Sequence, residues 1–125
     1  MRDVTPKVVL LVEDDPTIRL LLADYLESEH YRVIQADSAA QASEVLSGQP
    51  RLDLLISDYR LPGGVSGVKI AEPALKLRPD LKVIFISGYP AEIFETGTEL
   101  CKTFPVLAKP FTPDTLRERI EGLLA

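Results

Sequence analysis

The sequence predicts an α/β domain in which a parallel sheet is covered by helices on both faces. Five short apolar runs alternate with amphipathic segments along the 125 residues, which is the order of elements in parallel sheets. The run from Val8 to Val12 is apolar at every position, as is typical of a strand buried on both faces. These observations predict a single domain over residues 1–125, with no output domain after it.

The composition is that of an ordinary globular protein, and it argues against several functions. The chain is 46% hydrophobic and 26% charged, and its net charge of -5 disfavours nucleic-acid binding through a basic face. No apolar run approaches the roughly 18 residues of a membrane span, and the N-terminus lacks the apolar core of a signal peptide. The single cysteine, Cys101, cannot form an internal disulfide. A cytoplasmic protein is therefore expected.

The first half of the chain predicts three strands and two helices. Asp15 is suited to cap the first helix, with Pro16 at its first position. Ser38 and Gln41 have the spacing of a capping box at the start of the second helix, which Gly48 ends. The predicted elements are a strand over 7–12, a helix over 16–29, a strand over 31–36, a helix over 39–48 and a strand over 52–57.

The second half predicts two further strands and three helices. The third helix is expected to start at Ser66, and Pro73 inside it should kink or interrupt it, because proline removes one backbone hydrogen bond. Thr112, Pro113 and Asp114 form a capping sequence for the last helix. The remaining predicted elements are a strand over 82–87, a short helix over 91–96 and a strand over 105–108.

Polar residues of particular kinds follow four of the five predicted strands. They are Glu13 and Asp14 after the first strand, Asp58 after the third, Ser87 at the end of the fourth and Lys109 after the fifth. The carboxyl ends of parallel strands share one edge of the sheet, where such folds bind ligands. Two carboxylates about 4 Å apart repel by roughly 4 kcal/mol at an effective dielectric near 20. Such a cluster therefore needs a cation or a raised pKa.

This set of side chains suits phosphoryl transfer to a carboxylate. Clustered carboxylates and a backbone carbonyl make a hard oxygen site of the kind that binds Mg²⁺. An ionised Asp58 is a nucleophile that needs no base, and Lys109 can neutralise charge on the transferring phosphoryl group together with the metal. Ser87 can then hydrogen-bond to the attached group. Taken singly, each residue also fits a structural role as a helix-turn acid, a turn former or a solvated lysine.

Four stretches carry a resemblance to a known family. They are Val-Glu-Asp-Asp-Pro at 12–16, Ser-Asp-Tyr-Arg-Leu-Pro at 57–62, Ile-Ser-Gly-Tyr at 86–89 and Ala-Lys-Pro-Phe at 108–111. In this order and at these spacings, the chain resembles a CheY-like response-regulator receiver domain of two-component signalling. The resemblance implies a doubly wound (βα)5 flavodoxin-like domain, with a five-stranded parallel sheet in the order 2-1-3-4-5.

The resemblance also implies a role for each site residue. Asp58 matches the phosphoacceptor that becomes an aspartyl phosphate, Ser87 the switch hydroxyl and Lys109 the phosphate-pairing lysine, and the Lys109–Pro110 bond is often cis in the family. Such a domain catalyses its own phosphorylation and dephosphorylation without being a conventional enzyme. The implied ligands of Mg²⁺ are Glu13, Asp14, Asp58 and the backbone carbonyl of Arg60.

The implied partners are a histidine kinase or a histidine phosphotransfer domain, and a downstream protein target. In the family the phosphodonor docks on the first helix, here near Ile18 and Leu21. No direct contact with nucleic acid or membrane is expected, and the chain is expected to be a monomer or a weak dimer. Two origins stay open, a free-standing regulator and the receiver portion of a hybrid histidine kinase.

Two features depart from the commonest pattern of the family. Val106 stands where an aromatic switch residue is often found, so a signal is expected to pass through backbone shifts of the fourth strand. Tyr89 and Arg60 flank the expected phosphoryl position, and we hypothesise that they hinder the attacking water and slow dephosphorylation.

Three alternatives to the receiver interpretation differ in their fit to the sequence. An aspartyl-nucleophile phosphatase carries its nucleophile on the first strand in an Asp-x-Asp pattern, which is Glu13-Asp14-Asp15 here, and the chain has no room for a substrate cap. A flavodoxin-like FMN binder is disfavoured because acids after the first strand would repel the phosphate. A receiver-like interaction module that is never phosphorylated remains the alternative.

Overall fold

The computed structural model describes residues 5–48, 51–88 and 102–124. The predicted short helix at 91–96, the hypothesis about Tyr89 and the interpretation of Cys101 lie outside these residues. Among the helices that are described, none combines the length and apolar character needed to cross a membrane.

The described chain forms a five-stranded parallel sheet in the predicted order. The strands are β1 (Val8–Val12), β2 (Arg32–Ala36), β3 (Leu54–Asp58), β4 (Lys82–Ser87) and β5 (Val106–Ala108). Their order in the sheet is β2-β1-β3-β4-β5, so the first strand lies in the interior and the chain crosses over it to reach β3. The predicted fold class and strand order are confirmed.

Helices cover both faces of this sheet because successive strand side chains point to opposite faces. The described helices are α1 (Pro16–Ser28), α2 (Ala39–Gly48), α3 (Val68–Leu77) and α4 (Pro113–Leu124). Leu10 and Leu55 pack on one face, in a cluster with residues of α2 and α3, whereas Leu11 and Ile56 pack on the other, with residues of α1 and α4. Complete burial of one such side chain contributes about 1.5–3 kcal/mol.

The predicted helix caps are present, one of them in a modified form. The Asp15 carboxylate accepts hydrogen bonds from the backbone N–H groups of Thr17 and Ile18, at 2.9 and 3.2 Å. The Ser38 hydroxyl accepts from the Gln41 N–H at 3.2 Å, but the Gln41 side chain accepts from the Asp37 N–H at 2.8 Å rather than from that of Ser38. The second hydrogen bond of the capping box therefore comes from the backbone one residue before Ser38.

The start of α3 differs from the prediction. Ser66 belongs to a two-residue strand that pairs with Arg60–Leu61 in an antiparallel ladder, and the helix begins at Val68. Gly63 and Gly64 have φ angles of 79° and 76°, and these left-handed conformations turn the chain back on itself. The Ser66 hydroxyl still accepts from the Val68 N–H at 3.1 Å. The ladder displaced the helix start because the two glycines favour a hairpin over an immediate helix.

Pro73 does not interrupt α3, which runs unbroken from Val68 to Leu77. Its ring lies on the exposed face, while Ala71 and Ala74 on either side are completely buried. Packing of the buried face therefore holds the helix together across the position where proline removes a backbone donor.

Candidate functional site

The carboxyl edge of the sheet holds a pocket of about 290 Å³. Asp58 is the last residue of β3, Ser87 the last of β4, and Lys109 follows β5 directly. The pocket is lined by Asp14, Asp58, Arg60, Ile86, Ser87, Gly88 and Lys109. Side chains that are up to 95 positions apart in the sequence therefore surround one small volume, as expected from the convergence of parallel strand ends.

Three carboxylates meet beside this pocket. Glu13, Asp14 and Asp58 each offer an oxygen, and the three atoms lie within 4.8 Å of one another. Glu13 and Asp58 are 1% and 4% exposed, whereas Asp14 is open to solvent. A half-buried cluster of hard oxygen donors with one solvent-facing member fits Mg²⁺, which keeps several of its water ligands when it binds.

Lys109 forms ion pairs that neutralise part of the negative charge of this cluster. Its Nζ lies 3.1 Å from Oδ1 of Asp58 and 3.6 Å from Oε2 of Glu13. Both carboxylate oxygens are buried, and neither accepts a hydrogen bond of good geometry from any described residue. One ammonium group therefore faces two carboxylates without saturating their oxygen atoms, which leaves acceptor capacity for a cation.

The pKa values of Glu13 and Lys109 reflect the excess of negative over positive charge in the cluster. The pKa of Glu13 is raised from 4.5 to about 8, first by burial and then by the closeness of the Asp58 carboxylate, against the charge of Lys109. Burial would lower the pKa of Lys109, but the nearby carboxylates of Asp58 and Glu13 outweigh it and raise that pKa. At neutral pH, burial and the nearby Asp58 carboxylate therefore favour the protonated form of Glu13.

Backbone contacts fix the strand ends that carry these side chains. The Tyr59 N–H donates to the Ile86 carbonyl at 2.8 Å, and the Lys109 N–H donates to the Ser87 carbonyl at 2.8 Å. The hydroxyl of Ser57 donates to the Asp58 carbonyl at 2.9 Å. The Lys109–Pro110 bond is cis. Each strand end is therefore tied to its neighbour directly at the pocket.

Gly67 is a site residue that sequence reasoning missed. A Cβ at this position would overlap the carbonyl oxygen of Asp58 and lie 3.0 Å from the Ser57 hydroxyl. The Gly67 N–H also donates to the Tyr59 carbonyl at 2.7 Å. The requirement for glycine comes from a close approach between segments, and the sequence signals it only by a glycine at the start of the predicted third helix.

The two departures from the family pattern have different structural settings. Val106 is half-buried in β5 and packs against the cluster on the α2 and α3 face. The Arg60 side chain is exposed and lines the pocket. The part of its backbone carbonyl in metal binding stays a prediction.

A second, apolar groove of about 540 Å³ lies beside the pocket, between α1 and the segment that leads into α4. Leu21, at 66% exposed, projects along one side of this groove. Its lining consists of Ile18, Leu21, Leu22, Tyr25, Lys109, Pro110, Phe111 and Pro113. Lys109 thus borders both the polar pocket and the apolar groove.

Comparison with known proteins gives a consistent result. Residues 9–121 match the family model described as "Response regulator receiver domain". The chain is 36% identical over 118 residues to the response regulator receiver protein CpdR of Brucella abortus, covering 94% of this chain and 97% of that protein. It is 33% identical over 119 residues to the sensor kinase CckA of the same organism, covering 93% of this chain but 12% of the kinase.

The fold is also similar to that of solved structures. One is the response regulator protein TrrA from Thermotoga maritima, in complex with Mg²⁺-BeF. The two structures have a TM-score of 0.80, and the two chains are 31% identical, with 94% of this chain and 99% of that chain covered.

Proposed function

The chain belongs to the response regulator receiver domain family of two-component signalling, and from this premise we propose that Asp58 accepts a phosphoryl group from a phosphohistidine in a Mg²⁺-dependent reaction. The observation that carries the proposal is the ion pair of 3.1 Å between Lys109 and Asp58 at the floor of the pocket. The ion pair places the ammonium group against a carboxylate oxygen, and a carboxylate is a nucleophile that needs no base to activate it.

In the proposed transfer, an Asp58 oxygen attacks phosphorus, the P–N bond to the donor imidazole breaks, and the freed imidazole nitrogen takes up a proton from solvent. The Lys109 ammonium is placed to pair with the arriving phosphoryl oxygens, since it already lies within 4 Å of both buried acids. Glu13, Asp14 and Asp58, with the Arg60 carbonyl, would hold Mg²⁺. When bound, the metal supplies further positive charge against the phosphoryl oxygens.

The response to phosphorylation is proposed to run through Ser87 and Lys109. Ser87 is nearly buried and lines the pocket, so its hydroxyl can reach an oxygen of the attached group. Its carbonyl already accepts from the Lys109 N–H, which links the ends of β4 and β5. With Val106 in place of an aromatic switch, we propose that movement of β4 and the loop after it carries the signal.

The proposed phosphodonor is a histidine kinase or a histidine phosphotransfer domain, and the proposed receiver of the signal is a downstream protein. The apolar groove beside Lys109 supports docking near Ile18 and Leu21, because a donor seated there would lie next to the acceptor pocket. Similarity to both CpdR and CckA is compatible with a free-standing regulator and with a receiver portion of a hybrid kinase.

Intact mass spectrometry after incubation with acetyl phosphate and Mg²⁺ tests the proposal. We expect the mass of one phosphoryl group to be added to the wild-type chain, and to be lost in Asp58→Asn or in the presence of a chelator. Asp24→Asn, an exposed acid on α1, is the matched control and should be phosphorylated normally. Absence of an adduct with every small donor, while Mg²⁺ still binds, would contradict the proposal and favour a phosphorylation-independent interaction module.

A further inference from the structure

The acidic loop, residues 13–15, is held by hydrogen bonds on both sides. The Glu13 N–H donates to the Ala36 carbonyl at the end of β2, at 3.0 Å. The Glu13 carbonyl accepts from Nη1 of Arg19 at 3.0 Å. The Asp15 N–H donates back to the Glu13 carboxylate at 3.3 Å. Among these partners, only Arg19 contributes a side chain from outside the loop.

Arg19 is itself fixed in place by two neighbouring elements. Its Nε donates to the Gln35 side chain on β2 at 3.2 Å. Its backbone N–H donates to the Asp15 carbonyl at 2.9 Å in the first turn of α1. Because the guanidinium is planar and its donors point in fixed directions, satisfying Gln35 also sets the direction of the bond to Glu13.

The bond to Glu13 bears directly on Asp14. The Glu13 carbonyl belongs to the planar peptide unit that ends at the Asp14 N–H, so its orientation sets the direction in which Asp14 leaves the loop. Asp14 is exposed and gains little from packing, and its carboxylate must stay close to those of Glu13 and Asp58 against their repulsion. A fixed peptide unit therefore restricts movement of Asp14 away from Glu13 and Asp58.

We propose that Arg19 is a positioning residue that holds Asp14 in the geometry that binds Mg²⁺, with Gln35 orienting Arg19. The inference rests on the proposed function, because it assigns the acidic cluster to a metal. It makes a distinctive prediction. The positive charge of Arg19 by itself disfavours a nearby cation, so loss of that charge alone would tighten Mg²⁺ binding, whereas loss of the positioning contact weakens it.

Titration of the unphosphorylated protein with Mg²⁺, followed by backbone amide NMR shifts, measures this effect without any phosphodonor. We expect Arg19→Gln to weaken Mg²⁺ binding by about tenfold, at the lower end of the effects of groups that orient metal ligands. Arg19→Lys should recover part of the lost affinity. An ammonium group can reach the Glu13 carbonyl, but it lacks the planar guanidinium that contacts Gln35 and Glu13 at the same time. Gln35→Met keeps the arginine charge and should also weaken binding.

Arg32→Gln removes the same charge from the exposed, opposite end of β2 and is the matched control, with unchanged affinity expected. At saturating Mg²⁺, the rate of phosphorylation by acetyl phosphate should return to the wild-type value in the Arg19 variants. A lowered melting temperature with unchanged or tighter Mg²⁺ binding in Arg19→Gln and Gln35→Met would overturn the inference. Absence of Mg²⁺ binding by the wild-type chain would contradict the proposed metal site as well.

Discussion

Glu13 is a buried carboxyl group between a second carboxylate and an ammonium group. Its pKa of about 8, against an ordinary 4.5, means that the folded chain keeps a proton that the unfolded chain releases between these two values. The folded state therefore binds more protons than the unfolded state in this window. Stability from this group is complete below pH 4.5, falls as the pH rises toward 8, and levels off above it.

We expect Glu13→Gln to remove this dependence, because glutamine fills the same space without titrating. In metal-free buffer at pH 8.5, the variant should gain more than about 1 kcal/mol in free energy of unfolding, since one pKa unit corresponds to about 1.4 kcal/mol. Chemical denaturation across the pH range measures the effect, with Asp24→Asn as the control. Parallel pH profiles for wild type and Glu13→Gln would contradict it.

The residues that form the site were predictable where their positions follow from strand ends. Asp58, Ser87 and Lys109 follow strands whose convergence is a property of any parallel sheet. A cation or a raised pKa in the carboxylate cluster was predicted, but not that Glu13 is the acid with the raised pKa, because this depends on burial by segments distant in sequence. The Arg19 contact was also missed, since it requires the distance between a helix side chain and a carbonyl six residues away in the chain.

At the scale of elements, the segment between β3 and α3 is fixed by contacts with the end of β3. The antiparallel pairing of residues 60–61 with 65–66, the turn at Gly63 and Gly64, and Gly67 together bring the start of α3 against the Asp58 carbonyl. The sequence placed this helix start at Ser66, because a serine before an apolar stripe is a common cap. Pairing of Ser66 with Arg60 overrides that local preference, and only the folded geometry reveals the pairing.

Gly67→Ala tests whether the close approach of Gly67 to the Asp58 carbonyl holds Asp58, the proposed phosphoacceptor, in place. The new methyl group would overlap the Asp58 carbonyl, so the loop must shift, at a cost of about 1–3 kcal/mol in free energy of unfolding. We also expect slower phosphorylation by acetyl phosphate, because the displaced carbonyl belongs to the acceptor residue. Gly48→Ala is the control, since a Cβ there meets nothing within 4 Å. Equal stability and equal rates in the two variants would show that the approach is not restrictive.

At the scale of the whole molecule, alternation of apolar runs and amphipathic segments was sufficient to predict a parallel sheet with helices on both faces. It was not sufficient to predict strand order, which came from the family resemblance and was confirmed by the pairing of β1 with both β2 and β3. The reason is physical, since the interior strands of such a sheet are largely apolar on both faces and their sequences do not specify a neighbour.

Leu21 and Leu77 are large apolar side chains exposed on different faces of the fold, and this contrast allows a test of docking. Leu21 on α1 is 66% exposed beside the groove, and Leu77 on α3 is 70% exposed in the opposite layer. We expect Leu21→Glu to slow phosphoryl transfer from a purified histidine phosphotransfer domain at least tenfold, because a buried, unpaired charge would oppose docking. Its phosphorylation by acetyl phosphate should be unchanged, since this small donor needs only the pocket.

Leu77→Glu introduces the same charge at a similar exposure and should leave both rates unaltered. Equal rates for the two variants with the protein donor would place docking elsewhere on the surface. A loss of acetyl phosphate reactivity in Leu21→Glu would instead show that the substitution disturbs Lys109, which borders both the groove and the acceptor pocket. The two donors therefore separate recognition of a partner from the chemistry at Asp58.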